Sequence, residues 1–496
     1  MSTDVLVIGG GVGGLAAAVV LAGRGKRVHL LEAGDALGGK LGTASHDGVV
    51  FDTGPSILTV PEAFRRVFAA ADVRLEDALT LRRLDPSFRY RFPGGPVVDF
   101  HDSLEGTLAS VRDTLGAQAA DELRAFAAHA EALWDRTAPV FVFGPAPAPD
   151  VLRRMPPSQL LDVFRIDATR TMWRAIEDRV KTPELRAILQ RYATYNGSDA
   201  RRAPGTLNCI AHVELGLGGY GVEGGMARLV EALAKVARDR GAVLETNARV
   251  TRVMTRGRRL GIAREVTGVE LADGRRLEAR AVVSNAETRH LFDALLPKPP
   301  REARRRRGEP STSGWNAIVR AAPTEARAAH NVLFPARYRG EFEDLFDRGQ
   351  PPAEPTVYAC DQRLAHGRTG WPDGRAPLFL MVNAPAVEHT RGAIDWPALR
   401  DKALRRARDV GLVGENDEVV WERRPEDLAR RFPGSSGSLY GSSSSHPLSA
   451  FLRPPNRIAS VPGLYVASGT AHPGGGVPLC AMSGYQAAQA VLADAR

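Results

Sequence analysis

The sequence predicts an α/β fold in which a nucleotide-binding domain is interleaved with a second, α+β domain. Three observations lead to this prediction. An apolar strand at the N-terminus enters a glycine-rich turn and a helix, strand-like segments return after residue 240, and the chain closes on a further strand, glycine loop and helix. Strands and helices that alternate in this way form parallel sheets. The long segments between them therefore form the second domain.

The first element is the apolar strand at residues 5–8, which runs into Gly9-x-Gly11-x-x-Gly14 with Gly13 inside the turn. Gly9 permits a tight turn, Gly11 lets the backbone approach a pyrophosphate, and Gly14 allows close packing of helix on strand. The helix that follows offers free N–H groups to phosphates. We interpret this segment as a Rossmann-like dinucleotide site, and a glycine-rich core turn is the alternative.

A second strand at residues 27–31 ends in Glu32, whose carboxylate can accept hydrogen bonds from the ribose hydroxyls of an adenosine. The apolar stretch of residues 5–23 is close to the ~20 residues that span a bilayer. Five glycines between positions 9 and 14 argue against a lipid-facing helix, and no cationic segment precedes the strand. We therefore predict neither a transmembrane span nor a signal peptide.

Length, cysteines and charge narrow the class of protein. A chain of 496 residues exceeds one ordinary core, which predicts two interleaved domains. Its three cysteines, Cys209, Cys360 and Cys480, are widely spaced, which predicts no metal site and no redox pair and is typical of a reducing cytoplasm. The net charge of +9 comes chiefly from arginine, without a nucleic-acid-binding motif. We expect no nucleic-acid partner.

Two further segments identify the cofactor by resemblance. Gly38-Gly39-Lys40 and Asp52-Thr53-Gly54-Pro55-Ser56 resemble the GG-basic and DxGP segments of the flavoprotein superfamily that includes amine oxidases, protoporphyrinogen oxidase and carotenoid desaturases. The resemblance implies FAD and places both segments along its pyrophosphate and flavin. Lys40 would supply a cation near the phosphates, and Gly54-Pro55 a rigid backbone against the ring. Each segment alone is also compatible with an ordinary turn.

The middle of the chain returns to nucleotide-domain patterns. A helix predicted between Gly224 and Gly241 has one apolar face, formed by Met226, Leu229, Val230, Leu233 and Val236. Strands follow at residues 243–246 and 281–284, with a hairpin around Asp273-Gly274. In the resembling superfamily a short strand here brings backbone groups to the adenine, which makes Val250 the candidate for that contact. A core β residue is the equal alternative.

These patterns predict five segments along the chain. The FAD-binding domain would comprise residues 1–100, 206–290 and 454–496, and the substrate domain residues 101–205, which also dock on a membrane, and 291–453. Near the end of the last excursion, the serine-rich stretch 435–445 has the composition of a flexible linker. We favour that interpretation over a lid on a substrate tunnel.

The C-terminal segment consists of a strand at residues 464–467, a glycine loop and a helix that starts at Pro478, a residue suited to the first helical position. The positive end of such a helix points into the loop, where it would stabilise the anionic edge of a reduced flavin. The cofactor-binding residues predicted in this segment are Gly469, Thr470, Gly476, Val477 and Pro478. Cys480 is interpreted as a packing residue rather than a covalent flavin tether.

The string TAHPGGGVP at residues 470–478 closely resembles the C-terminal signature of the bacterial carotenoid desaturases, and GSLYG and FLRPPNR before it add to the likeness. The continuation Leu479-Cys480 is more similar to the hydroxycarotenoid 3,4-desaturase and methoxyneurosporene dehydrogenase branch than to the phytoene desaturases. The resemblance implies the architecture of the flavin amine oxidase superfamily. It also implies a desaturase that introduces C=C bonds into an acyclic C40 carotenoid, with or without a 1-hydroxyl group, by hydride transfer to FAD.

Three side chains are candidates for a catalytic role. Asp150 and Arg153 resemble an acid-arginine pair proposed as catalytic in phytoene desaturases, and His472 lies in the loop over the expected flavin. A surface ion pair and a loop-stabilising hydrogen bond are the favoured alternatives for these residues. A phytoene desaturase proper, a carotenoid isomerase and a soluble flavin amine oxidase stay open as alternative functions.

A carotenoid substrate constrains where the enzyme works. Placing a C40 chain in water costs on the order of 30 kcal/mol at ~0.8 kcal/mol per methylene, so the reactant would be taken from a bilayer. Residues 140–174 mix apolar side chains with arginines, as interfacial segments do, and as core helices also do. We expect a cytoplasmic protein that is peripheral on the inner face of the cell membrane, with a quinone or oxygen as electron acceptor.

Overall fold

The computed structural model describes residues 3–147, 166–257, 264–306, 308–446 and 448–495. A five-stranded parallel sheet forms the centre of the nucleotide-binding part. Its strands, in spatial order, are Leu464–Val466, Ala281–Ser284, Val5–Ile8, Val28–Leu31 and Val243–Glu245. Val5 lies opposite Ala281 on one side and Val28 on the other. Three distant parts of the chain therefore build one sheet, and the predicted α/β fold with returning segments is confirmed.

Helices cover this sheet, and small residues bring them close together. The helix Val12–Gly23 is buried along most of its length and packs against the C-terminal helix Val477–Asp494. A Cβ on Gly484 would lie 2.2 Å from the Gly13 carbonyl oxygen, so only glycine allows this approach. The helix Ala227–Asp239 buries the predicted apolar face, including Leu229 and Leu233.

A three-stranded antiparallel sheet lies beside the nucleotide-binding sheet. It consists of Val250–Gly257, Arg264–Leu271 and Arg276–Glu278, and Gly268 lies opposite Glu278. The hairpin predicted around Asp273-Gly274 is confirmed. Two strand pairs complete this part, Thr43–His46 with Val49–Asp52 and Leu81–Arg83 with Tyr220–Val222.

The second large sheet has seven strands and is mostly antiparallel. Its order is Glu418–Arg423, Ser313–Ala321, Ala376–Ala384, Val357–Asp361, His330–Leu333, Phe88–Arg91 and Val97–Phe100. Within this sheet, the pair His330–Leu333 and Phe88–Arg91 is parallel, and the other described pairs are antiparallel. The last two strands come from residues that the sequence grouped with the first FAD-binding segment, 1–100. Their pairing makes them part of the seven-stranded sheet instead of the five-stranded one.

The remaining helices surround the seven-stranded sheet or connect it to the nucleotide-binding part. Several begin at a side-chain cap, for example Ser103, whose hydroxyl accepts a hydrogen bond from the Gly106 N–H. They are Pro61–Ala69, Leu75–Ala78, Leu104–Leu115, Ala117–Phe141, Met172–Arg179, Pro183–Arg191, Ile210–Leu215, Thr288–His290, Tyr338–Phe342, Gln362–His366, Trp396–Asp409, Pro425–Arg431 and Ser449–Leu452. Short 3₁₀ and π turns occur at Tyr192–Asn196, Gly205–Cys209, Leu291–Leu295, Arg301–Arg306, Glu343–Arg348 and Val387–His389. None of the helices in the described ranges combines the length and the apolar character that crossing a membrane requires.

The serine-rich stretch 435–445 is packed into the protein, so the interpretation as a flexible linker is wrong. Ser438 and Ser445 are buried, and Ser445 Oγ accepts a hydrogen bond from the Asp199 N–H. Ser313 Oγ donates to the Gly437 carbonyl at 2.5 Å. The hydroxyl groups of Ser435, Ser436, Ser444 and Ser445 have hydrogen-bond partners within the protein, as buried polar groups usually do.

Candidate active site

A cavity of about 1100 Å³ lies between the two large sheets. One wall consists of the carboxyl ends of the parallel strands, including Ile8 and Leu31, and the opposite wall of seven-stranded-sheet residues such as Phe379 and Met381. Ligands of open α/β sheets bind at the carboxyl ends of the strands. The volume exceeds the ~300–1,000 Å³ of a pocket for one drug-sized molecule. The cavity therefore has room for an elongated cofactor together with a reactant.

The glycine turn after the first strand forms one end of this cavity. The helix Val12–Gly23 begins at Gly11 without a side-chain cap, so its first N–H groups are free for an anion. Gly39 packs so closely on this turn that a Cβ there would lie 3.3 Å from Gly11 Cα. Gly9, Gly11, Gly13 and Gly39 all line the cavity. Gly14 lies behind them, where a Cβ would be 2.1 Å from the Gly9 carbonyl oxygen, so its part is packing.

Glu32 lies beside the glycine turn at the cavity wall. Its Oε2 accepts a hydrogen bond from the Gly10 N–H at 2.6 Å, and its Oε1 accepts one from the Gly34 N–H at 2.8 Å. Each carboxylate oxygen keeps a second lone pair, so the group can still accept from a ribose hydroxyl. Val250 lines the same end, buried at the start of its strand. Both residues line the cavity, and their contacts with an adenosine stay predictions.

Lys40 lines the cavity, but its ammonium group is already paired. Nζ lies 2.8 Å from a Glu287 carboxylate oxygen and donates to the Ser438 carbonyl at 3.0 Å. The sequence led us to expect a cation directed at phosphates. The structure instead shows a cation neutralised by Glu287, which joins the GG-basic segment to two distant parts of the chain.

The other predicted cofactor segments converge on the same cavity. Gly54, Pro55 and Ser56 line it, and a Cβ on Gly54 would lie 2.3 Å from the Lys40 carbonyl oxygen, which fixes that backbone in place. Gly476 precedes the helix Val477–Asp494, has a φ of +117°, and would direct a Cβ into open space. This helix also has no side-chain cap, so its N-terminus is a second free set of donors.

The remaining residues predicted at the C-terminal loop divide into two groups. Gly469, Val477 and Pro478 line the cavity with Gly476. Thr470 is not among the lining residues, and its Oγ1 accepts a hydrogen bond from the Thr288 N–H at 2.9 Å. Thr470 therefore connects the loop to the segment that follows the strand Ala281–Ser284.

The Cys480 thiol lines the cavity, and burial raises its pKa to about 11, so it stays protonated.

The predicted catalytic side chains have different outcomes. His472 is buried at the cavity wall with a ring nitrogen 3.0 Å from the Gly144 carbonyl oxygen. Burial lowers the pKa of His472 to about 4, so the ring is neutral and donates to that carbonyl. This is the geometry of a loop-stabilising hydrogen bond. Asp150 and Arg153 lie outside the described residues.

A buried guanidinium that the sequence did not single out lies in the cavity wall. Arg191 ends the helix Pro183–Arg191, and its Nη1 donates to the Tyr195 hydroxyl at 3.0 Å. Four aromatic rings have their centroids within 6 Å of the guanidinium carbon: Tyr195 at 5.0 Å, Phe88 at 5.6 Å, and Tyr90 and Tyr358 at 5.9 Å. We call Arg191 and these four rings the arginine box. No motif marks it, because only the fold gathers its members.

The buried carboxylate of Glu214 is hydrogen-bonded to two tyrosines of the arginine box, Tyr90 and Tyr195. Glu214 accepts hydrogen bonds from the hydroxyls of Tyr90 at 2.9 Å, Tyr192 at 2.8 Å and Tyr195 at 2.5 Å. Burial, with the Glu214 charge, raises the pKa of Tyr90 and Tyr192 well above the usual value, so both phenols stay protonated donors. Glu214 therefore balances the charge of Arg191 through Tyr195 without direct contact.

These features fit FAD. Two uncapped helix N-termini suit a pyrophosphate at one end and the electron-rich edge of a flavin at the other, and Glu32 suits the ribose. The open space at Gly476 leaves room for a flat ring against the C-terminal loop. The glycine turn, Glu32 and the DxGP segment lie in the first 56 residues, and the C-terminal helix begins at Val477, yet all four meet around one cavity.

Comparisons with known proteins agree with this assignment. The model of the family "Flavin containing amine oxidoreductase" matches residues 12–492. The chain is 31% identical over 505 residues to hydroxyneurosporene desaturase of Rubrivivax gelatinosus, covering 99% of this chain and 93% of that protein. It is 29% identical over 501 residues to 4,4'-diaponeurosporene oxygenase of Staphylococcus aureus (strain MSSA476), covering 99% of both.

A solved structure supports the fold independently. A triple mutant of putrescine oxidase superposes with a TM-score of 0.63 at 17% identity, covering 99% of each chain. At that identity the likeness concerns the fold alone. Taken with the sequence matches, it agrees with the predicted superfamily architecture. The chain belongs to the flavin-containing amine oxidoreductase family, in its group of bacterial carotenoid desaturase-type enzymes, and is an FAD-dependent oxidoreductase.

Proposed function

We propose that the protein is a carotenoid desaturase that removes two hydrogens from adjacent carbons of an acyclic C40 carotenoid. The observation that carries the proposal is the large cavity, which adjoins the FAD cradle and whose other wall is rich in apolar and aromatic side chains. Among the described residues, Ile57, Phe141, Leu207, Val213, Phe379 and Leu439 contribute to that wall. Such a surface binds a long hydrocarbon and excludes water from it.

The chain's own part in the reaction is to bind, orient and keep the reactant dry. Bound FAD supplies the hydride acceptor. Loss of a hydride leaves a positive charge that is spread along the conjugated chain, so the neighbouring proton leaves without a strong base. Glu32, the glycine turns and the two helix N-termini hold the cofactor, and the apolar wall aligns the polyene against it. Asp150, Arg153 and His472 stay predictions as proton-transfer groups.

The arginine box argues against an amine substrate. Rings that surround a site for an ammonium group attract cations, but here the protein's own guanidinium occupies the space between them. A second cation brought into the cavity would be repelled by Arg191. The family name includes amine oxidation, and this wall supports a neutral, lipophilic reactant instead.

We also propose that the protein docks on a membrane at the mouth of the cavity. Phe141 and Phe451 line the cavity and contact each other with centroids 5.4 Å apart. Their chain neighbours Val140, Leu448 and Leu452 are exposed by 45%, 46% and 47%. Exposed apolar side chains beside a lipophilic cavity are typical of interfacial contact. Location on the inner face of the cell membrane and a quinone or oxygen as electron acceptor stay predictions.

Pigment analysis tests the proposed reaction. The gene is expressed in cells that accumulate one acyclic carotenoid, and extracted pigments are compared by mass and absorption spectrum. We expect a product with two fewer hydrogens for each new double bond and a red-shifted spectrum. Unchanged mass with an altered cis band would indicate an isomerase. Unchanged pigment beside flavin-loaded protein that oxidises amines would overturn the proposal.

Vesicle flotation tests the docking surface. We expect the variant V140D/L452D to lose most of its binding to anionic vesicles, because two charges would enter the interface. The matched control is V243D, since Val243 is 57% exposed on a strand of the nucleotide-binding sheet. Equal flotation of both variants and the wild type would contradict docking at this surface.

A further inference from the structure

The Arg191 guanidinium has far fewer hydrogen bonds than its burial requires. A guanidinium carries five N–H donors. Among the described residues, its one hydrogen bond is Nη1 to the Tyr195 hydroxyl, and the side chain is 7% exposed. Buried donors without acceptors are unfavourable, so natural sites of this kind usually hold a partner. Because Arg191 lines the cavity, the free donors have the cavity contents as their available partner.

A second donor lies in the same wall. The Tyr440 hydroxyl has no hydrogen-bond partner within the described part of the chain, and the residue lines the cavity. Its backbone is held firmly, because its N–H donates to Ser311 Oγ at 2.9 Å and a Cβ on Gly475 would lie 2.2 Å from its carbonyl oxygen. Burial raises the pKa of Tyr440, which Arg191 opposes, so the phenol stays protonated. Arg191 and Tyr440 are thus two fixed donors beside an apolar space.

The charges around Arg191 select the class of acceptor. A cation is repelled by the guanidinium. An anion is disfavoured because Glu214 already balances Arg191 through Tyr195, and because apolar side chains such as Leu439 line the same space. A neutral oxygen accepts the free hydrogen bonds without adding charge. The fitting group is a hydroxyl, ether or carbonyl oxygen on an otherwise apolar molecule.

We propose that Arg191 and Tyr440 form a subsite that binds a neutral oxygen function on the carotenoid and so determine which carotenoid is accepted. This inference rests on the proposed function and adds to it the class of substrate. The four rings of the arginine box and the hydrogen bond to Tyr195 hold Arg191 in place for this contact. A pure hydrocarbon would leave the donors unpaired and bind less well.

The test compares two acyclic C40 carotenoids that differ only by a terminal hydroxyl group. Purified FAD-loaded enzyme is mixed with each carotenoid in liposomes, with air and a quinone present to reoxidise the flavin, and the rate of product formation gives kcat/KM. We expect the wild type to prefer the hydroxylated carotenoid by about tenfold or more. R191M should lower kcat/KM for that carotenoid by about 10- to 150-fold and change the hydrocarbon rate by less than about threefold. R202M, a change at an exposed arginine, is the matched control.

The variant Y440F serves as a second, milder probe. It removes one hydroxyl and leaves the arginine box intact, so it should lower the rate with the hydroxylated carotenoid alone, by about three- to tenfold. This variant carries the test if R191M does not retain flavin. Equal slowing of both carotenoids in either variant, or a wild type without preference, would overturn the inference alone. Product from neither carotenoid in the wild type would overturn the proposed function and the inference with it.

Discussion

The two walls of the cavity offer different kinds of hydrogen-bond donor. On the nucleotide side the donors are backbone N–H groups at two helix N-termini, and the residues that expose them are glycines. On the opposite side the polar groups are the long side chains of Arg191 and Tyr440. Rings from distant segments, Phe88 and Tyr358, surround Arg191, and the Tyr440 N–H donates to Ser311 Oγ. Backbone donors suit a cofactor shared by many relatives. Side chains can change singly, so the second wall is where specificity can vary.

The largest effect is expected where the backbone itself forms the site. G13A would place a Cβ 2.2 Å from the Ala467 carbonyl oxygen and 2.8 Å from Asn285 Nδ2, and neither neighbour is a free side-chain end. We expect loss of bound flavin and of soluble protein, measured by the visible absorption of the purified protein. G257A is the control, since its Cβ would meet nothing within 4 Å. Normal flavin content in G13A would contradict the claim that the close-packed backbone of the glycine turn forms the cofactor site.

The second prediction concerns the wall formed by the seven-stranded sheet and the dependence of the free energy of unfolding on pH. Burial lowers the pKa of His330 to about 3 and that of His366 to about 4, and both pack at the seven-stranded sheet. Because the unfolded histidines titrate near 6.5, the unfolded state binds more protons below that pH. The free energy of unfolding should therefore fall as the pH drops from about 6.5 to about 4, by at most about 3 kcal/mol for His366.

Urea unfolding of the wild type and H366Q at several pH values measures this term. The difference between the two proteins should shrink as the pH falls from about 6.5 to about 4, because the variant lacks the titrating ring. H446Q, at an exposed histidine, should follow the wild type throughout. A constant difference between H366Q and the wild type across this range would contradict a depressed histidine pKa.

A smaller effect is expected at Glu32. E32Q keeps the shape of the side chain but removes the charge that accepts from the Gly10 and Gly34 N–H groups and from a ribose. The affinity for FAD should fall by about 10- to 150-fold, the value of a hydrogen bond to a charged group. Titration of the apoprotein with FAD, followed by flavin fluorescence, measures it. E231Q on an exposed helix face should bind FAD like the wild type.

The smallest effect separates two roles for Lys40. If Lys40 mainly pairs with Glu287, K40M should lower the free energy of unfolding by about 1–2 kcal/mol, and K40M/E287Q should recover most of it. Thermal unfolding with a double-mutant cycle measures this coupling. If Lys40 binds phosphate instead, both variants should lose FAD affinity equally, and the structural account of this pair would be wrong.

The difference between the walls also explains what the sequence could predict. The glycine turn, Glu32 and the helix start at Pro478 carry local signals, because turns, strand ends and caps are set by neighbouring residues. Lys40 and Glu287 are 247 positions apart, and nothing local announces their pairing. No local pattern distinguishes Arg191 from the other helical arginines, because three of the rings around it come from distant parts of the chain. Composition alone predicts a linker at the serine-rich stretch, because it does not reveal whether hydroxyls bond to water or to the protein.

The central claim is that one cavity holds FAD against a lipophilic polyene and transfers two hydrogens between them. A single-turnover experiment tests it most directly. FAD-loaded enzyme is mixed without oxygen with an acyclic carotenoid in liposomes, and the flavin absorption shows how much flavin is reduced. The carotenoid is then extracted, and its mass is measured by mass spectrometry. We predict that each flavin reduced yields one carotenoid that has lost two hydrogens. A flavin that stays oxidised with every acyclic carotenoid offered, while the protein retains its cofactor, would contradict the account.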